Sequence, residues 1–196
     1  MTLTQNNRQL IAAEAARLLY EEGYRDYLVA KKKAAQRLGC ATDKACQPTN
    51  KEIHAAILLR RKLHASDEET RYLLELRKVA LEAMEFFQQY SPLLAGSVVD
   101  GSAGLYAPAT LHLFATSAEE VIFFLQDQKL PFQIHERSYR MHGRQLSYPL
   151  LRFYADEFEI ELVIFEEGTP APTSHISGKS MKRLTIKELE ALIKEG

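Results

Sequence analysis

The first ninety residues place apolar side chains at a spacing close to the period of an α-helix, which predicts a series of helices. The first helix ends at Gly23, and the second extends from about Arg25 to Leu38, where Gly39 follows as a stop. Residues 40–49 contain turn-forming residues and no period, so they are predicted to be a loop. The apolar stripe of the first helix consists of Leu10, Ile11, Leu18 and Leu19.

Two capping boxes mark where the next two helices begin. In this motif a Ser or Thr side chain and a Glu three residues later each accept a hydrogen bond from the other residue's backbone N–H. Residues 49–52 begin a helix that continues through Leu63, and residues 66–69 begin a longer helix that ends near Tyr90, before Pro92. The longer helix has one apolar stripe, formed by Leu73, Leu76, Ala80, Met84 and Phe87.

Beyond Pro92 apolar and polar residues alternate in short segments, a pattern typical of strands. In the last of these segments Glu159 and Glu161 share the face opposite the apolar residues, because side chains alternate along a strand. Capping boxes at residues 117–120 and 185–188 begin two further helices. Strands are predicted over residues 93–99, 110–115, 132–136, 138–142, 150–155 and 158–165.

The order of these elements predicts the fold class. The strands near the C-terminus follow one another through turns at Gly143 and at residues 156–157, which favours antiparallel hairpins. A run of helices followed by a run of strands is typical of an α+β fold. We therefore expect a helical module over residues 1–90 and an α+β domain over residues 91–196, with a small mixed or antiparallel sheet flanked by helices.

Composition and charge constrain the function only loosely. The 196 residues are 46% hydrophobic, enough for a substantial core, and their formal net charge of −1 gives no obvious attraction for polyanions. Residues 1–90 hold 15 Lys and Arg against 12 Asp and Glu, whereas residues 91–196 hold 10 against 14. No apolar run is long enough to cross a bilayer, and the first residues do not resemble a secretory signal. With Cys40 and Cys46 as the only thiols, the sequence predicts a cytoplasmic protein with no membrane partner.

One segment of the second half carries most of the functional information. Residues 93–115 place Gly96 and Ser97 at the end of a predicted strand, Gly101 soon after them, and a second strand next. This order resembles the signature of polymerase-beta-like nucleotidyltransferases, and the resemblance covers about residues 80–195. It implies that Gly96, Ser97 and Gly101 approach the phosphates of a nucleotide, since glycine leaves room for a close contact.

The resemblance does not extend to the metal-binding carboxylates. In the family, Asp-x-Asp on the second strand and one carboxylate on a later strand hold two divalent metal ions. Here the pair falls on Thr110 and His112 in the register that keeps the apolar alternation, or on Pro108 and Thr110 without a gap. Glu161, with Glu159 beside it, matches the later carboxylate. Such a set is a poor Mg²⁺ site, so no cofactor is certain, and Mg²⁺ or Mn²⁺ is expected only if the domain is active.

Three side chains in this region each have two interpretations. Asp100 supplies a carboxylate from within the loop or serves as a turn residue, and we favour the turn. His112 contacts the nucleotide or packs inside the sheet, and we favour packing. Arg152 binds a phosphate or pairs with Glu161 across strands, and the sequence does not separate these two roles.

The predicted loop over residues 168–184 contains a Gly-Lys-Ser sequence that suggests a P-loop. We reject that motif because Thr173 stands where it requires Gly and because no helix begins directly after Ser180. Lys179 and Arg183 remain candidates to contact an anion, and the alternative is a solvated basic loop.

The second helix offers a different kind of site. It is rich in basic residues that could contact nucleic-acid phosphates, as the helices of helix-turn-helix regulators do. We favour the alternative that these residues form a solvated outer face, because runs of charge usually do. The residues are Lys31, Lys32, Lys33 and Arg37.

Three hypotheses follow for the function. The leading one is a degenerate nucleotidyltransferase-like domain that binds a nucleotide or the end of a nucleic acid with little or no transfer. The second is an active metal-dependent transferase whose altered site uses Asp100, Glu159 and Glu161. The third is a binding module that recognises nucleic acid or a protein through the N-terminal helices.

Overall fold

Four helices precede the first strand of this chain in a computed structural model that describes residues 3–40 and 46–195. Helices at the N-terminal end and a six-stranded mixed sheet confirm the predicted α+β class. The helices are α1 (Leu3–Glu21), α2 (Tyr27–Arg37), α3 (Asn50–His64), α4 (Asp67–Phe86), α5 (Ser97–Asp100), α6 (Ala118–Asp127) and α7 (Ile186–Glu195). The strands are β1 (Leu93–Ala95), β2 (Ala109–Phe114), β3 (Gln133–Met141), β4 (Arg144–Ala155), β5 (Phe158–Phe165) and β6 (Arg183–Leu184).

Helices α1, α2 and α3 enclose a hydrophobic core of their own. Ile11, Leu18 and Ile53 are fully buried at its centre. Much of the remaining core is alanine, whose small side chain lets the helices approach closely. Leu28 and Leu38 of the second helical segment are exposed, so α2 buries its alanines instead. These alanines are Ala30, Ala34 and Ala35.

Helix α4 packs against the sheet rather than against the three preceding helices. Its capping box at Ser66 and Glu69 is present, and its predicted stripe is buried in the same core as Leu111 and Leu162. Phe87 completes this stripe just beyond the end of the helix. The N-terminal helices and the sheet therefore have separate cores, and α4 belongs to the second of them. The division of the chain at residue 90 stays a prediction.

The sheet has the strand order β3-β4-β5-β2-β1-β6. Strands β2 and β5 are parallel, and every other neighbouring pair is antiparallel, which confirms the predicted hairpins. One face of the sheet packs against α4, α6 and α7, whose residues join its core. The opposite face carries polar side chains beside a small aromatic cluster that includes Phe165 and Tyr139. This opposite face holds the candidate site.

The segment after Pro92 departs from the predicted strand over residues 93–99. Strand β1 ends at Ala95 because Gly96 adopts a positive φ of 83°, a backbone conformation that turns the chain out of the sheet. The next four residues form the short helix α5, and the strand prediction is wrong here because a short apolar run does not distinguish a buried strand from a helical turn. Gly101, also at positive φ, ends this turn.

Two other predictions about local structure have different outcomes. The capping box at residues 185–188 forms, with reciprocal hydrogen bonds between Thr185 and Glu188. The capping box at Ser117 is wrong, because the Ser117 side chain accepts no capping hydrogen bond and Glu120 reaches the backbone N–H of Thr116 instead.

Candidate functional site

The polar face of the sheet is built by alternation along β2, β4 and β5. Thr110 and His112 on β2 are register neighbours of Glu161 and Val163 on β5, and Arg152 on β4 is paired with Glu161 from the other side. Glu161 is completely buried, although carboxylates are rarely buried without partners. The contacts of this one carboxylate define the site.

Three guanidinium groups surround Glu161. Arg137 Nη1 lies 2.8 Å from Glu161 Oε2, and Arg152 Nη2 lies 3.1 Å from Oε1. Arg25 Nη1 is 3.4 Å from Oε1, and the hydroxyl of Thr110 donates a 3.2 Å hydrogen bond to Oε2. Both oxygens of this buried carboxylate therefore have charged partners, as buried charges in proteins usually do.

Glu159 extends the same group of charges toward solvent. Arg25 donates to both of its oxygens, at 3.0 and 3.1 Å. Arg152 Nε forms an ion pair with it at 3.0 Å, in a geometry that is not that of a hydrogen bond. Burial acts to raise the pKa of Glu159, but the hydrogen bond from Arg25 and the charges of Arg25 and Arg152 outweigh it and leave the pKa lowered.

We call Arg25, Arg137, Arg152, Glu159 and Glu161 the arginine cluster. Three positive and two negative side chains give it a formal excess of one positive charge. The side chains of Arg25, Arg137 and Arg152 are 49%, 30% and 24% exposed, whereas that of Glu161 is 0% exposed. The cluster therefore presents guanidinium groups to solvent and hides the carboxylate beneath them.

His112 is packed beneath aromatic side chains. It is completely buried, and its Nε2 lies 3.2 Å from the hydroxyl of Tyr139. Burial, followed by the positive charges of Arg183 and Arg137, lowers the pKa of His112 to about 3, so the imidazole is neutral at physiological pH. Its Nδ1 is buried without a hydrogen-bond partner among the described residues.

The Gly-Ser segment lies beside Thr110. Ala95 is the register partner of Thr110, and a Cβ on Gly96 would lie 3.9 Å from the Thr110 hydroxyl. Ser97 follows as the first residue of α5. Pro108 precedes the first residue of β2, so Thr110 and not Pro108 lies level with Glu161.

Asp100 and Gly101 lie against the N-terminal helices. Asp100 Oδ2 is 3.2 Å from His54 Nε2, and its other oxygen accepts a hydrogen bond from the backbone of Ser102. His54 Nδ1 lies 3.4 Å from the hydroxyl of Tyr27. Gly101 contributes its carbonyl oxygen to Arg61. Asp100 therefore contacts His54 and Ser102, whereas Glu161 contacts three arginines, and the two carboxylates have no common partner among these contacts.

The two basic candidates near the C-terminus have separate surroundings. Arg183 lies over the ring of Phe114, with its Cζ 5.4 Å from the ring centre, and burial lowers its pKa. It also acts on His112 through its charge. Lys179 is exposed on the preceding loop and forms no ion pair with the described carboxylates. Of these two, only Arg183 adjoins the polar face.

The basic residues of α2 are partly engaged by neighbouring groups. Arg37 pairs with Glu14 and Glu22, and Lys31 donates to the carbonyl oxygen of Pro48. Lys32 is exposed and Lys33 is half-buried. The four predicted nucleic-acid contacts therefore do not form one unpaired basic surface.

The sequence interpretation missed Arg25 and Arg137, which contribute two of the three guanidinium groups. Arg137 shares a face of β3 with Tyr139, so alternation along that strand contained a signal for it. Arg25 lies between α1 and α2, 136 positions before Glu161 in the chain, and no local pattern joins these two residues.

Two structural findings and three comparisons with known proteins complete the description. Within the described residues, 3–40 and 46–195, no group of three or more His, Cys, Asp or Glu side chains is arranged to hold a metal ion. None of the helices in this part of the chain has the length and apolar character needed to cross a membrane. The chain matches no protein-family model, no curated protein and no solved structure.

Proposed function

We propose that the arginine cluster binds the phosphates of a nucleotide, or of a nucleic-acid end, without a metal ion and without nucleotidyl transfer. The observation that carries this proposal is the complete burial of Glu161 beneath Arg25, Arg137 and Arg152. The choice of a nucleotide as ligand rests on the resemblance of residues 91–196 to a nucleotidyltransferase domain. In that resemblance, Glu161 matches the carboxylate of the later strand.

The contacts of Glu161 argue against a catalytic metal at this position. A divalent ion would need oxygen ligands around it, and both oxygens of Glu161 already accept charge-assisted hydrogen bonds or ion pairs from arginines. Thr110 supplies a hydroxyl that donates to Glu161, not a second carboxylate. The guanidinium groups thus provide the positive charge that metal ions provide in a two-metal site.

The charge and exposure of the cluster support an anionic ligand. Arginine presents a planar fork of N–H donors that fits phosphate oxygens, and the three arginines outnumber the two carboxylates they contact. Gly96 and Ser97 lie next to Thr110 at the edge of the same group, so a ligand on the arginines would also reach this segment. Together these features support phosphate binding better than acid-base or metal chemistry.

Binding of each nucleoside triphosphate with and without Mg²⁺ or Mn²⁺ tests this proposal. We expect the melting temperature to rise with nucleotide alone, because a ligand that binds only the folded state stabilises it by mass action. The substitutions Arg137→Gln and Arg152→Gln should each weaken the affinity for nucleotide roughly tenfold or more, because a charge-assisted hydrogen bond to the ligand is lost. Arg144→Gln is the matched control, since this β4 arginine is exposed and forms no ion pair with a described residue.

The possible outcomes separate the three hypotheses. Binding without metal that is lost in the Arg137 and Arg152 variants but kept in the Arg144 variant supports the proposal. Binding that requires Mg²⁺ or Mn²⁺, with release of pyrophosphate, supports the active transferase instead. If no nucleotide binds, and the full chain binds DNA or RNA with a salt-sensitive affinity that Lys32→Gln weakens and Arg137→Gln does not, the N-terminal helices are the functional part.

A further inference from the structure

Two arginines converge on Gly101 on the side of α5 that faces α3 and α4. A Cβ placed on Gly101 would lie 2.9 Å from Arg61 Nη1 and 3.8 Å from Arg77 Nη2, so both guanidinium groups approach one point. Arg61 donates to the carbonyl oxygen of Gly101, and Arg77 donates to that of Val98 at 3.3 Å. Backbone carbonyls hold both groups in place, and no carboxylate within residues 3–40 and 46–195 forms an ion pair with either of them.

Nearby Asp100 offsets these two charges only in part. Neither Arg61 nor Arg77 forms an ion pair with a described carboxylate, and nearby Asp100 is already engaged by His54 and Ser102. Burial, and then the charge of Arg61, lowers the pKa of Arg77, and the opposing effect of Asp100 does not restore it. An anion between the two guanidinium groups would remove this repulsion.

An open cleft of about 530 Å³ lies directly over these groups. Lys62 adds a third positive side chain to its wall, and Thr70 adds a hydroxyl. The other lining residues are Leu58, Ala65, Leu73, Asp100 and Gly101. Three cations against one engaged carboxylate give the cleft a formal excess of two positive charges, and a volume in this range accommodates a small ligand.

We propose that this cleft is a second phosphate site, separate from the arginine cluster, in which one phosphate group bridges Arg61 and Arg77 above Gly101. Bidentate guanidinium contacts suit phosphate oxygens, and Lys62 provides a point charge for a second phosphate of the same ligand. The ligand class is therefore a diphosphate or a nucleotide. This inference does not depend on the proposed function, because it uses none of the residues around Glu161.

Backbone amide spectra of the full chain during titration with inorganic pyrophosphate, without metal, test the site. We expect the amide resonances of Gly101 and Ala65 to shift as pyrophosphate binds. Arg77→Gln should weaken binding roughly tenfold or more, as removal of a charge-assisted contact does. Arg71→Gln is the matched control, because this residue is exposed on the same helix and does not line the cleft. The same titration with ATP identifies the ligand class. Tighter binding of ATP than of pyrophosphate indicates a nucleotide site, and equal binding indicates a site for a simple diphosphate.

A second variant keeps the test valid if Arg77→Gln does not fold. Thr70 is exposed on the wall of the cleft, so Thr70→Glu adds a negative charge there without removing a core contact, and it should also weaken binding. Shifts that are lost in these variants but retained in Arg71→Gln and in Arg137→Gln support a separate site. The proposal is overturned if millimolar pyrophosphate moves neither resonance, or if the Arg71 control weakens binding as much as the cleft variants do.

Discussion

At the scale of single residues, the pKa of His112 gives the molecule a specific dependence on pH. The folded state holds this pKa at about 3, against an ordinary value of 6.5, because the imidazole is buried near Arg183 and Arg137. The unfolded chain therefore binds a proton more readily than the folded chain between these two values. Stability from this residue is complete above about pH 6.5 and decreases as pH falls toward about 3.

Replacing His112→Gln should reduce this dependence. We expect the slope of the unfolding free energy against pH, between about pH 6.5 and 5, to be shallower in the variant than in the parent chain. This window lies above the range in which Glu14 and Glu52 lose their contribution, since hydrogen bonds from Arg17 and Arg8 hold their pKa values at about 2, below the ordinary 4.5. Urea denaturation at several pH values measures the slope.

An exposed histidine provides the control for this prediction. His64, at the end of α3, is exposed, so His64→Gln should leave the slope in this window close to that of the parent chain. Equal slopes for the His112 variant and the parent chain would contradict the account of His112 as a buried neutral imidazole.

At the scale of secondary-structure elements, two serines with the same sequence signature behave differently. Ser66 accepts a hydrogen bond from the backbone of Glu69 and caps α4, whereas Ser117 makes no capping bond at the start of α6. We expect Ser66→Ala to lower the unfolding free energy by about 1 kcal/mol and Ser117→Ala to change it by less than about 0.5 kcal/mol. Chemical denaturation of both variants checks this difference, and equal effects would contradict it.

The elements that could be predicted from the sequence are those determined by local signals. Capping at Thr49 and Ser66, and the alternation along β5, involve residues that are neighbours in the chain. The short helix α5 could not be predicted, because Ser97, Val98 and Val99 fit the end of a buried strand as well as a helical turn. The capping failure at Ser117 shows that the motif allows these hydrogen bonds without requiring them.

The candidate site was only partly predictable for a similar reason. Arg152 and Glu161 are cross-strand partners within one hairpin, so their pairing was among the expected alternatives. Arg137 comes from a strand two places away in the sheet, and Arg25 comes from the helical half. These contacts depend on the tertiary arrangement, which has no counterpart in local spacing.

At the scale of the whole molecule, Gly104 lies in close contact with the end of α1, far from it in the sequence. A Cβ at Gly104 would overlap the backbone carbonyl oxygen of Tyr20, near the end of α1. Gly104→Ala should lower the unfolding free energy by about 1–3 kcal/mol, the usual range for overpacking, as measured in urea. Ser180→Ala is the control and should have little effect, because Ser180 is exposed and its side chain forms no hydrogen bond with a described residue. An unchanged unfolding free energy for the Gly104 variant would mean that this contact does not constrain the molecule.

The contact between the two halves also completes the arginine cluster. Arg25 precedes α2, yet it pairs with Glu159 and Glu161 on β5. The helical half thus supplies one of the three guanidinium groups that cover the buried carboxylate. The proposed phosphate site is therefore a property of the whole chain rather than of residues 91–196 alone.

The measurement that tests this account most directly is the affinity for ATP of the parent chain and of Glu161→Gln, by calorimetry in the presence of a chelator. If arginines bind the phosphates, removing the negative charge beneath them should tighten binding by about tenfold, because attraction between the guanidinium groups and the ligand is no longer opposed. Glu157→Gln, an equal charge change at an exposed turn, should have little effect. Weaker binding in Glu161→Gln, together with a requirement for Mg²⁺ in the parent chain, would contradict the account and identify Glu161 as a metal ligand.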